Sequence, residues 1–509
     1  MSHAGPLRGT HARAVEATHG SPRGRLLLPL AAAALALVTL VPASWVPSLW
    51  TDEAATASAV RRSWPELFFM LGKVDVVHGL YYMLVKSLTD AVGVSELTLR
   101  APSIAAGAAA AAALAVAARR LGGPRTGLAA AVVLVLLPRF QFAATDARSY
   151  ALTVLGTSLC IAALAALRES GRWRAAAGLG AALLVSTGLS FYCILLAPVA
   201  VLAALADRRL RPHWWKVALA SVPAAGVAAW VAAAASRQTF QVAWIPPLDW
   251  HVGREIVFLQ YFSHAAMWTD TGIVPAASAP LVVGMVMTAV AVLALAVWGV
   301  VRRPRSFSTV LGLALITVPL AVLLVGSALM GSSYYLPRYL TFTAPGLCLL
   351  AANGAVSLTR PAAARWVAGA AALTLAGGAL LAIAGQRTEF ARSPSDDFRF
   401  VADTIRDHAR PGESFAVAAG EDLFIAAYPR PFEGLVDLTR GISAAQWGLI
   451  FNQRFPLESR SALVDRQKVV FAIRPVEKPQ EEEFLRSRGF AEQGRWSGPG
   501  HVIVKFVKY

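Results

Sequence analysis

Long apolar runs divided by short, arginine-rich breaks fill the first three-quarters of the chain. The runs cover 26–46, 97–118, 127–143, 149–167, 217–235, 276–300, 308–330, 340–358 and 366–385. About 20 apolar residues at about 1.5 Å each cross the hydrocarbon layer, so each run predicts a membrane helix. The breaks "RRLGGPR" (119–125), "RESGRWR" (168–174), "DRRLRPHWWK" (207–216), "VRRPR" (301–305) and "TRPAAAR" (359–365) are basic. The positive-inside rule puts all of them on the cytoplasmic side, together with the basic N-terminus.

That requirement decides two ambiguous stretches. Counting "HGLYYMLVKSLTDAVG" (78–93) as a crossing would turn 119–125 outward, so it is predicted to lie at the outer interface, with Tyr81 and Tyr82 at headgroup level. The stretch 175–206 has basic flanks on both sides and must cross twice or not at all. It supplies roughly 48 Å of helix against the roughly 60 Å of two full crossings. Two short helices broken near "STGLSFYC" satisfy this, and irregular backbone at that depth calls for an adjoining cavity. The resulting fold class is an α-helical polytopic membrane protein of about eleven crossings plus juxtamembrane helices, with its C-terminus outside.

From 386 onward the pattern changes. "PSDDFRFVADTIRDHARPGE" predicts an amphipathic helix stopped by Pro-Gly, "SFAVAA", "KVVFAIR" and "HVIVKFV" predict strands, and "QEEEFLRSRGF" a helix. The division is thus a disordered basic tail at 1–25, a membrane domain at 26–385 with a first outer loop at 47–96, and a small extracytoplasmic α/β domain at 386–509.

Composition agrees: 56% of the 509 residues are hydrophobic and only 15% charged, with a mean hydropathy of +0.54. The net charge of +17 is spread in clusters between apolar runs, the pattern of loops facing anionic lipid and not of a nucleic-acid binder. Cys160, Cys193 and Cys348 lie inside apolar runs without disulfide or zinc spacing. No phosphate-binding lysine loop or dinucleotide glycine fingerprint is present, so nucleotide hydrolysis is not suggested.

On this topology the polar residues that could carry chemistry converge on the outer side. "SLWTDEAATASAVRRSW" (48–64) holds Asp52 and Glu53, and "FAATDARSYAL" holds Asp146 and Arg148. "YYLPRYL" holds Arg338 and Tyr339, while Asp75 and His78 precede the interfacial helix. A purely structural account has Thr51 capping a helix whose first turn carries two acids. It covers the first pair and leaves the other charges at outer helix ends unexplained.

The acidic pair after the first membrane helix, then "VHGLYYML", "SELTLRAPS" and "ATDARSYAL" in that order, resemble the GT-C integral membrane glycosyltransferases. The resemblance is to the family 39-like, protein-mannosyltransferase-related branch of actinobacterial type. It implies a polyprenyl-phosphate-linked sugar as donor, mannose being the expected sugar, and an extracytoplasmic glycan, lipid or protein as acceptor. Residue by residue it implies that Asp52 is the catalytic carboxylate with Glu53 as its neighbour. The chemistry agrees, because an acceptor hydroxyl attacking an anomeric carbon needs a base, and a single displacement inverts that carbon.

The other positions carry two readings each. His78 is followed here by Gly79 and Leu80, where relatives commonly have prolines; it contacts substrate or metal, or bonds a backbone carbonyl at the interface. Asp146 binds the acceptor or holds a divalent cation such as Mg or Mn with Glu53, or forms a local ion pair with Arg148. Asp75 reads as a solvated or capping acid. Arg338, with Tyr339 beside it, suits the lipid phosphate through its bidentate donors, or is a snorkelling anchor. Arg148, Tyr150 and Tyr192 have weaker claims on substrate. In the outer segment 236–275, Trp244, Trp250 and Trp268 fit an interfacial belt or a sugar-stacking wall, and His251 and His264 lack metal spacing. A transporter or flippase of lipid-linked saccharides is the rival class, and it would require ionisable residues near the bilayer midplane.

Overall fold

The structure is a computed structural model describing residues 22–238, 245, 247–263, 279–358, 362–393, 395–418, 422–476 and 480–509. The predicted tail as far as residue 21, and Trp244, His264 and Trp268, lie outside the described residues.

Among the described residues, 7 helices are long and apolar enough to cross a membrane: Glu96–Gly122, Tyr150–Ser170, Arg211–Ala235, Ala279–Arg302, Phe307–Met330, Pro337–Ser357 and Ala364–Gly385. A bent pair, Pro124–Leu136 and Pro138–Ala144, turns through 71° where the pattern predicted a single helix over 127–143. Pro138 supplies the cause: it lacks an N–H for the ladder and drives the preceding residue out of the helical region. Leu137 is accordingly extended, at φ −69° and ψ 124°.

The shorter apolar helix Leu26–Leu40 precedes these. The stretch 175–206 is broken as its length demanded. One helix runs Trp173–Leu189, Ser190 is extended, a 3-10 turn follows at Phe191–Leu195, and Leu196–Ala206 resumes the helix. Small residues let neighbouring helices approach backbone to backbone, as membrane packing favours. A Cβ at Gly354 would lie 1.9 Å from the Leu295 carbonyl oxygen, and one at Gly299 would lie 2.1 Å from that of Leu350.

The basic breaks 119–125, 168–174 and 207–216 meet at one end of the bundle. Arg120 pairs with Glu169 (3.2 Å) and Arg168 with Asp207 (3.0 Å). Lys216 donates to the Gly171 carbonyl (2.8 Å).

The other end carries the outer-loop helices Thr51–Val60, Trp64–Leu71 and Gly79–Val92, and against them the C-terminal domain. One apolar cluster spans both, including Ala54, Ala57, Leu67 and Tyr81 of the loop with Phe398, Phe424, Phe471 and Ile503 of the domain. Tyr81 and Tyr82 are fully buried here, not at headgroup level. The reason is polar: Tyr82 bonds Asp75 and Arg148, and Tyr81 bonds Ser103 (3.3 Å).

The domain's sheet has the order β2-β1-β3-β5-β4, with β1 (Ser414–Val417), β2 (Val436–Asp437), β3 (Val469–Pro475), β4 (Phe490–Ser497) and β5 (His501–Lys508). β1 is parallel to β2 and β3, whereas β5 is antiparallel to β3 and β4. The pattern predicted β1, β3, β5 and the helices Phe398–His408 and Gln480–Ser487. It missed β2, which is two residues long, and β4, a mostly exposed edge strand without an apolar face.

Candidate active site

Trp50 closes the segment that follows the first apolar helix and, in extended backbone, forms the N-cap of Thr51–Val60 without a side-chain cap bond. Thr51 is therefore the first helical residue and not the cap that its sequence suggested. Its N–H donates instead to Asp396 Oδ2 (2.9 Å), from the start of the C-terminal domain.

The two adjacent carboxylates that follow have opposite environments. Glu53 is fully buried and accepts from Arg100 Nε (2.7 Å), Arg100 Nη2 (2.5 Å) and the Ala147 N–H (2.9 Å). Burial opposes its charge, but Arg100 outweighs it and holds the carboxyl below the usual range. Arg100 also donates to the Ser44 (2.6 Å) and Pro47 (3.0 Å) carbonyls. Glu53 is thus a joint between loop and bundle, with both oxygens occupied.

Asp52 keeps 16% of its side chain exposed and lies 3.4 Å from Arg148 Nη2 and 3.7 Å from Arg338 Nη2. Burial pushes its pKa up, yet Arg338 and then Arg148 bring it below the usual aspartate value, so it is an anion at neutral pH.

Arg148 is aimed by a relay: its Nη1 donates to Tyr82 Oη (2.7 Å), and that hydroxyl donates to Asp75 Oδ2 (2.6 Å). Asp75 stands at the N-cap position of the 3-10 turn Val76–His78, but its carboxylate makes no cap bond and is a buried partner of Tyr82, neither solvated nor capping. The His78 ring lies 6.0 Å from the Tyr82 ring. Burial and then Arg148 depress His78 to about 4, leaving the imidazole neutral. Its Nδ1 is buried without a hydrogen-bond partner.

Arg338 sits in the 3-10 turn Pro337–Thr343, with its guanidinium 5.8 Å from the Trp50 ring and 5.6 Å from that of Tyr339. Tyr339 stacks on Tyr192 at 5.0 Å, so the break in 173–206 brings an aromatic ring to the same place. Beyond this group, His251 pairs with Asp249 (2.7 Å) beside the exposed Trp250.

Asp146 lies behind the cluster. Its Oδ1 accepts from Trp50 Nε1 (2.9 Å), and its Oδ2 is buried without a partner. Burial, then the negative charge of Glu53, pushes its pKa well above the carboxylate range. The local Asp146–Arg148 pair that the sequence allowed is not formed, since Arg148 turns to Asp52 and Tyr82. A divalent cation shared by Glu53 and Asp146 does not fit these residues. Glu53 has given both oxygens to Arg100 and Ala147, which leaves Asp146 Oδ2 alone. Among the described residues no group of three or more His, Cys, Asp or Glu could hold a metal ion.

Of the residues singled out by sequence, Asp52, His78, Arg148, Arg338 and Tyr339 come together, whereas Glu53 and Asp146 brace them from behind. Sequence reasoning missed Trp50, Tyr82, Arg100 and Asp396. Arg100 left a signal, an arginine inside the apolar-helix motif "SELTLRAPS", but Glu96 four residues earlier offered a local partner that the structure gives to Arg399 instead.

No protein-family model matches the chain, and no curated protein matches it by sequence. Solved structures do match it in shape. ArnT from Cupriavidus metallidurans, bound to undecaprenyl phosphate, is 15% identical, with 95% of this chain and 98% of that chain covered at a TM-score of 0.56. The Archaeoglobus fulgidus oligosaccharyltransferase, tethered with an acceptor peptide, is 9% identical over 89% of this chain and 69% of its own, at 0.51. The arabinofuranosyltransferase AftD from Mycobacteria is 17% identical at 0.51, covering 97% of this chain but 40% of that longer one. At these identities the likeness is one of fold.

Proposed function

Starting from the GT-C fold that this multi-pass membrane protein shares with those structures, we propose that it is a glycosyltransferase acting on a polyprenyl-phosphate-linked sugar. The sugar is mannose, and the acceptor is an extracytoplasmic glycan, lipid or protein. The observation that carries this reading is Asp52, a partly exposed carboxylate kept anionic between two guanidinium groups.

In the proposed reaction an acceptor hydroxyl attacks the anomeric carbon while Asp52 takes its proton. The new carbon–oxygen bond forms as the bond to the phosphate oxygen breaks, and the lipid phosphate leaves with the bonding electrons. The anomeric carbon is inverted. Arg338 and Arg148 are the groups that neutralise the charge growing on the phosphate. The same arginines explain how so weak a base becomes competent. A donor phosphate drawn to them competes with Asp52 for positive charge, and the carboxylate gains basicity only when substrate is present. His78, neutral and with a free ring nitrogen, is available to a sugar hydroxyl.

Sidedness supports the same reading. The basic breaks 119–125, 168–174 and 207–216 lie at the end of the bundle remote from Asp52, and by the positive-inside rule the site would face outward. A lipid-linked donor reaches such a site from within the bilayer. Two matching structures contain undecaprenyl phosphate and dolichol-phosphate, lipid phosphates of the class proposed here.

The test is to incubate membranes containing the protein with polyprenyl phosphate carrying labelled mannose or labelled arabinofuranose. Label is expected to leave the lipid and become covalently bound to an acceptor fraction; label that stays on the lipid with both donors would refute the proposal.

A further inference from the structure

The segment leading into Asp52 has no secondary structure of its own between Pro47 and Trp50, and its backbone groups are satisfied in turn by the C-terminal segment. The Ser48 N–H donates to the Glu389 carbonyl (2.8 Å), that of Leu49 to Tyr428 Oη (3.0 Å) and that of Thr51 to Asp396 Oδ2 (2.9 Å). The Arg399 guanidinium takes the carbonyls of Val46 (2.5 Å), Trp45 (3.1 Å) and Pro47 (3.4 Å) and pairs with Glu96 (2.9 Å). The helix after Asp52 is held as well, with Ser58 Oγ donating to the Ile450 carbonyl (2.7 Å) and Arg62 to that of Leu449.

Asp396 and Asp397 divide this work. The Asp397 carboxylate is fully buried and accepts from His501 Nδ1 (2.5 Å), the Gly500 N–H (3.0 Å) and the His501 N–H (3.2 Å), where β5 begins. Its neighbour reaches the other way, to the first N–H of the helix bearing Asp52. Ordinary packing between domains explains the apolar contacts between them. It does not explain a carboxylate placed beside Asp52, whose like charge opposes it. What that carboxylate gains is the unsatisfied first-turn N–H of a helix that lacks a side-chain cap of its own.

We infer that Asp396 is a positioning residue: through the Asp396–Asp397 pair the C-terminal domain clamps the N-terminus of the Asp52 helix and sets where the carboxylate stands. The inference rests on the function proposed above, and its test separates the two. Full-length protein in lipid nanodiscs, with Asp396→Ala and Asp396→Asn, is compared by amide hydrogen exchange of the peptide containing Thr51 and by transfer kinetics from polyprenyl phosphomannose. Asparagine keeps an acceptor oxygen for the Thr51 N–H, and alanine does not.

In Asp396→Ala, exchange of that peptide is expected to rise by about three- to tenfold, the range one hydrogen bond supports. The kcat is expected to fall by about ten- to a hundredfold, as a displaced catalytic group would cause, with the KM for donor within about twofold. Asp396→Asn should restore both. Unchanged exchange in Asp396→Ala, unchanged kcat despite faster exchange, or an Asn variant as impaired as the Ala variant would overturn the clamp. A wild-type protein that transfers no sugar would refute the proposed function, while the exchange comparison would still decide whether Asp396 holds this helix.

Discussion

Replacing Asp52 with asparagine preserves the side chain's size while removing its charge and its ability to take a proton. The structural cost follows from the geometry. Neither guanidinium is within ordinary hydrogen-bond distance of Asp52, at 3.4 and 3.7 Å, and Asp52 is 16% exposed. Arg148 also keeps Tyr82, and Arg338 its aromatic neighbours Trp50 and Tyr339. Both arginines are buried, so the loss of stability should fall between the about 1 kcal/mol of an exposed pair and the about 3–5 kcal/mol for breaking a buried one. The catalytic cost is far larger, because a positioned base contributes about 10²–10⁴-fold. The assay is single-turnover transfer of labelled mannose from polyprenyl phosphate in nanodiscs, with thermal unfolding measured on the same samples. The expected result is a rate lower by about two to four orders of magnitude in a protein that is still folded at the assay temperature, with only a modest drop in melting temperature. An Asp52→Asn protein that transfers within threefold of wild type would refute the assignment of Asp52 as the base.

Three further outcomes follow from the neighbours of Asp52. Glu53→Gln should destabilise by about 3–5 kcal/mol by leaving Arg100 charged and buried, and Glu53→Gln combined with Arg100→Met should recover part of it; unfolding of the single and double variants in detergent checks this. For Asp146, burial and then the charge of Glu53 raise the folded-state pKa to about 7, whereas the unfolded chain releases its proton at about 3.9, so stability falls as pH rises between about 4 and 7. Asp146→Asn should flatten this slope of melting temperature against pH, and an unchanged slope would contradict the burial argument. His78, depressed to about 4 by burial and then Arg148, is already neutral at pH 6. His78→Gln should therefore leave the shape of the pH–rate profile between 6 and 8 unchanged, and a lost limb would show that the imidazole titrates there.

The membrane helices were legible because burial in lipid demands long apolar runs, a signal that no tertiary contact overrides. The break at Ser190 followed from the length of 175–206 taken together with its two basic flanks. The 71° bend at Pro138 had its sign in the sequence, yet the apolar run around it masked the proline. β4 stayed hidden because an exposed edge strand has no apolar face to show. In the site, Asp52 and Glu53 were visible as a pair but not as opposites. What separates them is Arg100, 47 positions away in the chain and brought to Glu53 by helix packing. Tyr82 looked like an interfacial aromatic, since nothing local reveals that its hydroxyl joins Arg148 to Asp75. Asp396 was legible only as one of two acids before an amphipathic helix.

The chemistry proposed for Asp52 moves a sugar off its lipid carrier. The most direct measurement reconstitutes the purified protein in vesicles with polyprenyl phosphate carrying labelled mannose, adds extracted envelope acceptor outside, and follows both the lipid and the label. Free polyprenyl phosphate and covalently attached label are expected to appear in equal amounts, at a rate that falls with Asp52→Asn. Intact lipid-linked sugar moving between leaflets, with no lipid phosphate released, would contradict that chemistry and establish a transporter.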